Sequence, residues 1–142
     1  MSQLSLFGGR RQRGRKPPPA PEINLHIAIA DTLKRWGTTG WRWTCIAHGG
    51  FRLPVITAVR LKRMGLRPGF SDFLLLSPYP PKAHFLEVKR RGGKLSDAQA
   101  EFQGFCELHE YPYAVVDDYQ SAMAALADWG AIRVSLSTIK AS

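Results

Sequence analysis

Gly69-Phe70-Ser71-Asp72-Phe73-Leu74-Leu75-Leu76, then Phe85-Leu86-Glu87-Val88-Lys89-Arg90, then Leu95-Ser96-Asp97-Ala98-Gln99 are the segments that decide how this chain folds. The first is an apolar run broken by a single charge, Asp72. The second alternates, which sets Phe85, Glu87 and Lys89 on one face of a strand from His84 to Lys89. Between the two, Ser77-Pro78-Tyr79-Pro80-Pro81 is rich in turn formers, so the flanking strands are expected to pair antiparallel. The third segment carries an N-cap signature. The helix it opens holds Leu95, Ala98, Phe102, Phe105 and Cys106 on its apolar side.

Further elements follow on either side. Ile23, His26, Ile27, Ala30 and Leu33 recur at helical spacing, so a first helix starts near Glu22, after Pro21, and ends at Trp36-Gly37. Trp41 to Ile46 alternates as a strand, and Ala47-His48-Gly49-Gly50 forms a loop. Pro54 opens a helix with Ala58, Leu61 and Met64, stopped by Gly65. Tyr113 to Val116 is a short buried strand, and a last helix runs from about Ser121 to Trp129, ending at Gly130. The order helix, strand, helix, strand, strand, helix, strand, helix predicts an α/β fold with a small mixed β-sheet flanked by helices.

The composition fits one folded domain. Of 142 residues, 44% are hydrophobic and 22% charged, enough for a core and against wholesale disorder. Twenty Lys and Arg face eleven Asp and Glu, a net charge of +9 that favours a polyanionic partner. No apolar run approaches the roughly 18–20 residues a membrane span needs, and Leu4 to Phe7 is too short for a signal peptide. The two cysteines, Cys45 and Cys106, lack metal-type spacing and read as reduced thiols. Membrane, secreted, disulfide-scaffold and zinc-finger classes are therefore not expected. Residues 1–21 read as a mobile arm: Arg10, Arg11, Arg13, Arg15 and Lys16 are uncompensated by acid, and the Pro17–Pro21 stretch stiffens it. The folded domain is expected over 22–134, with a tail over 135–142. Without the arm the rest still carries +4.

Asp72 and Glu87 sit in apolar surroundings, where a charge is costly unless paired or bound to a cation. A suitable register brings both to one sheet edge with Lys89. Two carboxylates a few ångströms apart repel, and a divalent cation relieves that repulsion. Hard oxygen ligands suit Mg²⁺ or Mn²⁺, and a lysine beside them can orient water or offset developing charge. The residue pattern alone is equally compatible with a cross-strand Glu–Lys ion pair and Asp72 capping the strand entry.

The three opening segments together resemble the VRR-NUC family, the virus-type replication-repair branch of the PD-(D/E)xK nucleases. The helix-opening Leu-Ser-x-x-Gln after Glu-x-Lys is the most specific part, and the likeness runs from about 22 to 130. It implies a restriction-endonuclease-like core and metal-dependent cleavage of DNA phosphodiesters. By motif, Asp72 and Glu87 carry over as metal ligands, Lys89 as catalytic lysine, and Gln99 as the glutamine beside the site. The acidic residue of the family's first helix falls on Glu22, a further catalytic and metal-ligand candidate. Ser71 stands where the family usually has Pro, and the 47–50 loop lacks the Asn-Gly pair of phage-type members. Small members resemble Holliday junction resolvases, which implies branched DNA, a homodimer, and work at the nucleoid of a bacterial or phage-infected cell.

Arg60, Lys62, Arg63 and Arg67, with Arg90, Arg91 and Lys94, bracket these residues and read as a phosphate-backbone track rather than a merely solvated face. Arg10, Arg11 and Arg13 of the arm join them as nucleic-acid-binding candidates. His26 shares a helix face with Glu22 and either supports it, touches phosphate, or packs in the core. His48 and His84 are expected on the surface. Trp36, Trp41 and Trp43 are read as core packing at element ends rather than base stackers. Two other functions remain open on sequence: a non-catalytic DNA-binding module that keeps the fold, and an RNA binder working chiefly through its arm.

Overall fold

The computed structural model describes residues 21–46 and 54–133. Arg10, Arg11, Arg13, the rest of the arm to residue 20, the loop with His48 and the C-terminal tail lie outside them. The elements are α1 (Pro21–Trp36), β1 (Arg42–Cys45), α2 (Val55–Arg63), β2 (Phe73–Pro78), β3 (Pro81–Val88), α3 (Asp97–Leu108), β4 (Tyr113–Val116) and α4 (Tyr119–Trp129). This is the expected order, and the four strands form one mixed sheet in the order β1-β2-β3-β4. β1 and β3 run antiparallel to β2, while β4 runs parallel to β3. A parallel neighbour needs a crossover rather than a hairpin, and α3 supplies it.

The alternation of the strands explains the two layers. Phe73 pairs with Leu86 and Leu75 with His84, so these side chains share one face. That face meets Ile29 and Leu33 of α1 and Met123 and Leu126 of α4, all buried in the core. Each fully buried side chain of this size contributes roughly 1.5–3 kcal/mol. The other face carries Phe85, Glu87 and Tyr113. Phe102 of α3 packs edge-on to Phe85 and Tyr113, with ring centroids 4.9 and 6.0 Å away. Both C-terminal helices are well capped. Ser96 forms a capping box with Gln99, Asp118 forms one with Ser121, and left-handed Gly130 closes α4.

Three expectations need correction. Asp72 and Lys89 were expected within strands, but β2 begins at Phe73 and β3 ends at Val88. The ladder opens there because the Asp72 carboxylate takes the place of a backbone acceptor: Val88 N–H donates to its Oδ2 at 2.7 Å. Lys89 stays tied through its own N–H, which donates to Val116 O at 2.8 Å. His84, expected on the surface, is buried, because it falls in the core-facing phase of β3 with Leu86 and Val88. Its ring lies 4.8 Å from that of Trp41 and 5.3 Å from that of Trp129. Trp41 and Trp43 pack against the core as expected, whereas Trp36 is exposed.

Candidate active site

The residues singled out at the sheet edge converge because the register brings them there. The β2–β3 ladder ends at the Phe73–Leu86 pair, and the next rung outward would set Asp72 opposite Glu87. Both line an open cleft of about 1050 Å³ with Glu22, Lys89 and Gln99. α1 brings Glu22, the β2–β3 edge brings Asp72, Glu87 and Lys89, and the first turn of α3 brings Gln99.

Glu87 is the most constrained of them, with 1% of its surface exposed. Its Oε1 accepts from Gln99 Nε2 at 2.7 Å and lies 3.0 Å from Lys89 Nζ. Its Oε2 is buried with no hydrogen-bond partner among the described residues. Burial, then the neighbouring charge of Asp72, pushes the Glu87 carboxyl up to about 7; Lys89 opposes this and Glu22 adds to it. The Asp72 carboxyl is also raised, chiefly by burial, against the pull of the Val88 N–H, His26 and Lys89. Two carboxyl groups each raised by burial, one of them by the other's charge, form a site short of positive charge.

Gln99 is oriented by its helix. Ser96 N–H donates to Gln99 Oε1 at 2.8 Å, and Gln99 N–H donates to Ser96 Oγ at 3.2 Å. With its oxygen committed to the cap, the amide has only its NH₂ to offer Glu87. The Leu-Ser-x-x-Gln motif thus starts the helix and positions a carboxylate through one side chain. Ser71, in the place of the usual Pro, is buried and donates from Oγ to Phe73 O at 2.9 Å. This hydrogen bond ties the side chain to the backbone at the start of β2.

The other candidates divide. Lys62, Arg67 and Lys94 line the cleft. Arg60 and Arg63 lie instead along the exposed apolar side of α2, with Val55, Ile56, Val59 and Met64. Arg90 is exposed, and Arg91 reaches Asp118 at 3.7 Å. His26 stacks on Phe73, with centroids 4.3 Å apart, and its charge acts on Asp72. It is a packed histidine in electrostatic contact with the site.

Among the described residues, no three His, Cys, Asp or Glu side chains gather as a metal-binding group; Glu22 lines the cleft without joining Asp72 and Glu87 in one. The pair itself suits a hard divalent cation, since Glu87 Oε2 is a buried oxygen without a donor and both carboxyl groups are destabilised as anions. Two residues were not singled out on sequence. Tyr113 has a buried hydroxyl with no partner among the described residues, and burial together with Glu87 pushes its pKa up. Its pairing with Phe85, on the face of Glu87, was the available signal. Phe70, read as part of an apolar strand, is exposed in the cleft.

A mixed four-stranded sheet flanked by helices, with an Asp and a Glu-x-Lys at its edge, is the architecture of a PD-(D/E)xK-type nuclease domain. The VRR-NUC domain model matches residues 51–118, from the segment before α2 through β4, and this segment belongs to that nuclease family. No curated protein matches the chain. No helix among the described residues is long and apolar enough to cross a membrane.

Proposed function

We propose that the protein is a Mg²⁺- or Mn²⁺-dependent, structure-selective DNA endonuclease, resembling Holliday junction resolvases and working as a homodimer on branched DNA. The observation that carries this reading is the buried Glu87, fixed at one oxygen by Gln99 and Lys89 and left with an unsatisfied second oxygen beside Asp72. Burial and the charge of Asp72 destabilise this carboxylate as an anion beyond what Lys89 offsets, and a divalent cation shared with Asp72 would relieve that cost.

Asp72 and Glu87 would hold the metal, with Glu22 adding negative potential from α1. When bound, a divalent cation lowers the pKa of a water and offsets charge on phosphate. Gln99 prevents Glu87 from rotating and keeps Oε1 engaged. Lys89, held against Glu87, presents its ammonium to the attacking water or to the charge growing on the phosphate. Lys62, Arg67 and Lys94 would take the flanking phosphates, and the basic arm adds sequence-independent affinity by counterion release. Contacts of this kind favour recognition of DNA shape over sequence, and a two-fold dimer would present two sites to two strands. The site of action is the nucleoid of a bacterial or phage-infected cell.

The test is cleavage of duplex, flap, single-stranded and four-way DNA with Mg²⁺, with Mn²⁺ and with chelator. Cleavage that requires metal and favours branched substrates is expected. Undiminished cleavage in excess chelator would overturn the metal assignment, and equal rates on all four substrates would overturn structure selectivity.

A further inference from the structure

Phe70 stands half out of the protein, two residues from Asp72. Its side chain is 52% exposed, yet it lines the cleft that holds Asp72, Glu87 and Lys89. A single exposed aromatic needs no explanation by itself, but this ring is held in place. It rests against Phe102 with centroids 4.6 Å apart, and Phe102 is wedged in turn against Phe85 and Tyr113. The backbone before it is fixed as well. Gly69 has φ +98°, and a Cβ there would come within 2.5 Å of Ala98 O, so the chain lies flat on the first turn of α3. Asp72 is anchored from the other side by the Val88 N–H. Phe70 is therefore a supported aromatic surface at a set offset from the carboxylates, with Lys62, Arg67 and Lys94 along the same cleft.

We propose that Phe70 is a stacking platform for a nucleobase next to the phosphodiester to be cut. This rests on the reading of the cleft as a nuclease site and narrows its substrate. In continuous duplex the faces of a base are covered by its neighbours and only its edges are open. A protein ring stacks on a base only where the strand is single or the base is turned out. The cleft thus takes DNA that is unpaired or unstacked at the cut, as at a flap, a gap or a branch point. Stacking of this kind is tolerant of sequence because every base has a π-face.

The experiment uses the full chain and single strands carrying 2-aminopurine at successive positions, beside flap and continuous duplex DNA for cleavage in Mg²⁺ and Mn²⁺. One position of the bound strand should show quenched 2-aminopurine. Phe70→Leu, which keeps an apolar contact with Phe102, should lose the quench and weaken single-strand binding about 5- to 150-fold, with duplex binding unchanged. Phe70→Trp should restore both. Wild-type protein that quenches no position overturns the proposal whether or not Phe70→Leu folds, and so does a folded Phe70→Leu with wild-type quench and affinity. Quenching without cleavage in either metal keeps the base platform and ends the nuclease reading. Cleavage indifferent to Phe70 ends the platform and keeps the nuclease.

Discussion

Gln99 holds Glu87 with one end of its amide and the start of α3 with the other: Nε2 donates to Glu87 Oε1 at 2.7 Å, and Oε1 accepts from Ser96 N at 2.8 Å. The two roles can be separated. Gln99→Glu keeps the acceptor for the cap and replaces the donor with an anion facing Glu87. Gln99→Ala removes both and should lower stability by about 1–2 kcal/mol, the usual cost of a lost cap and hydrogen bond. Cleavage should fall at least tenfold in both, on the scale of about 1.5–3 kcal/mol for a hydrogen bond to a charged group. Melting temperature and single-turnover cleavage for the two variants check this. Full activity in Gln99→Glu would reduce Gln99 to a helix cap.

The same residues show what could be seen in advance. Element order, sheet type and the capped start of α3 follow from alternation, turn residues and the Ser96–Gln99 spacing, all local signals. The convergence of Asp72 and Glu87 was visible because a short hairpin leaves few registers. The carboxylate that ends the ladder at Asp72 was not visible, since it depends on where Val88 N–H falls across the sheet. His84 was misjudged because a polar residue in a strand was assigned by its chemistry instead of its phase with Leu86. The split of the basic residues between the cleft and the outer side of α2 depends on how that helix stands to the sheet, which sequence proximity to the site does not reveal.

Lys89 separates an enzyme from a binding module. Its ammonium lies 3.0 Å from Glu87 Oε1, and its side chain is 16% exposed. The ion pair is thus largely shielded from water. Lys89→Ala removes one charge from a strongly basic surface, so DNA affinity should change little. Cleavage should fall by about 10²–10³, the scale of a lost electrostatic stabiliser. Asp72→Asn and Glu87→Gln should abolish cleavage while leaving DNA binding intact or tighter, since each removes negative charge near phosphate. Single-turnover rates measured beside DNA affinity decide it, and near wild-type cleavage by folded Lys89→Ala would end the catalytic role.

Metal-free protein should lose stability as pH rises through the range set by Glu87. Its carboxyl is pushed up to about 7 in the folded chain against an ordinary value of 4.5. Between those values the folded state keeps a proton that the unfolded state releases, so stability falls with rising pH and levels off above 7. The raised Asp72 carboxyl acts in the same direction. Glu87→Gln carries no such charge, so its stability relative to wild type should grow from pH 5 to pH 8. Mg²⁺ or Mn²⁺ should raise the wild-type melting temperature at pH 8 and have little effect on Glu87→Gln. Melting curves across pH with and without metal are the measurement. A variant-to-wild-type difference independent of pH would show that Glu87 is not destabilised as an anion.

His84 should set a limit on the acid side. Its ring is enclosed near Trp41 and Trp129, and its Nδ1 is buried without a partner among the described residues. Burial lowers its pKa from the ordinary 6.5, and the charge of Lys82 lowers it further, while backbone groups of Lys82 and Leu75 pull the other way. Below 6.5 the unfolded chain takes up a proton that the folded one resists, so stability is full above that value and declines as pH falls. The decline opposes the gain from Glu87 over the same range, so the contribution of His84 must be read as a difference from a variant. His84→Phe keeps a ring between the tryptophans and removes the titrating nitrogens. It should be more stable than wild type at pH 5 and lose that advantage toward pH 8. The check is chemical denaturation of both proteins at pH 5, 6.5 and 8 without metal. A gap between them that does not widen in acid would show that His84 is protonated as easily in the core as in the unfolded chain.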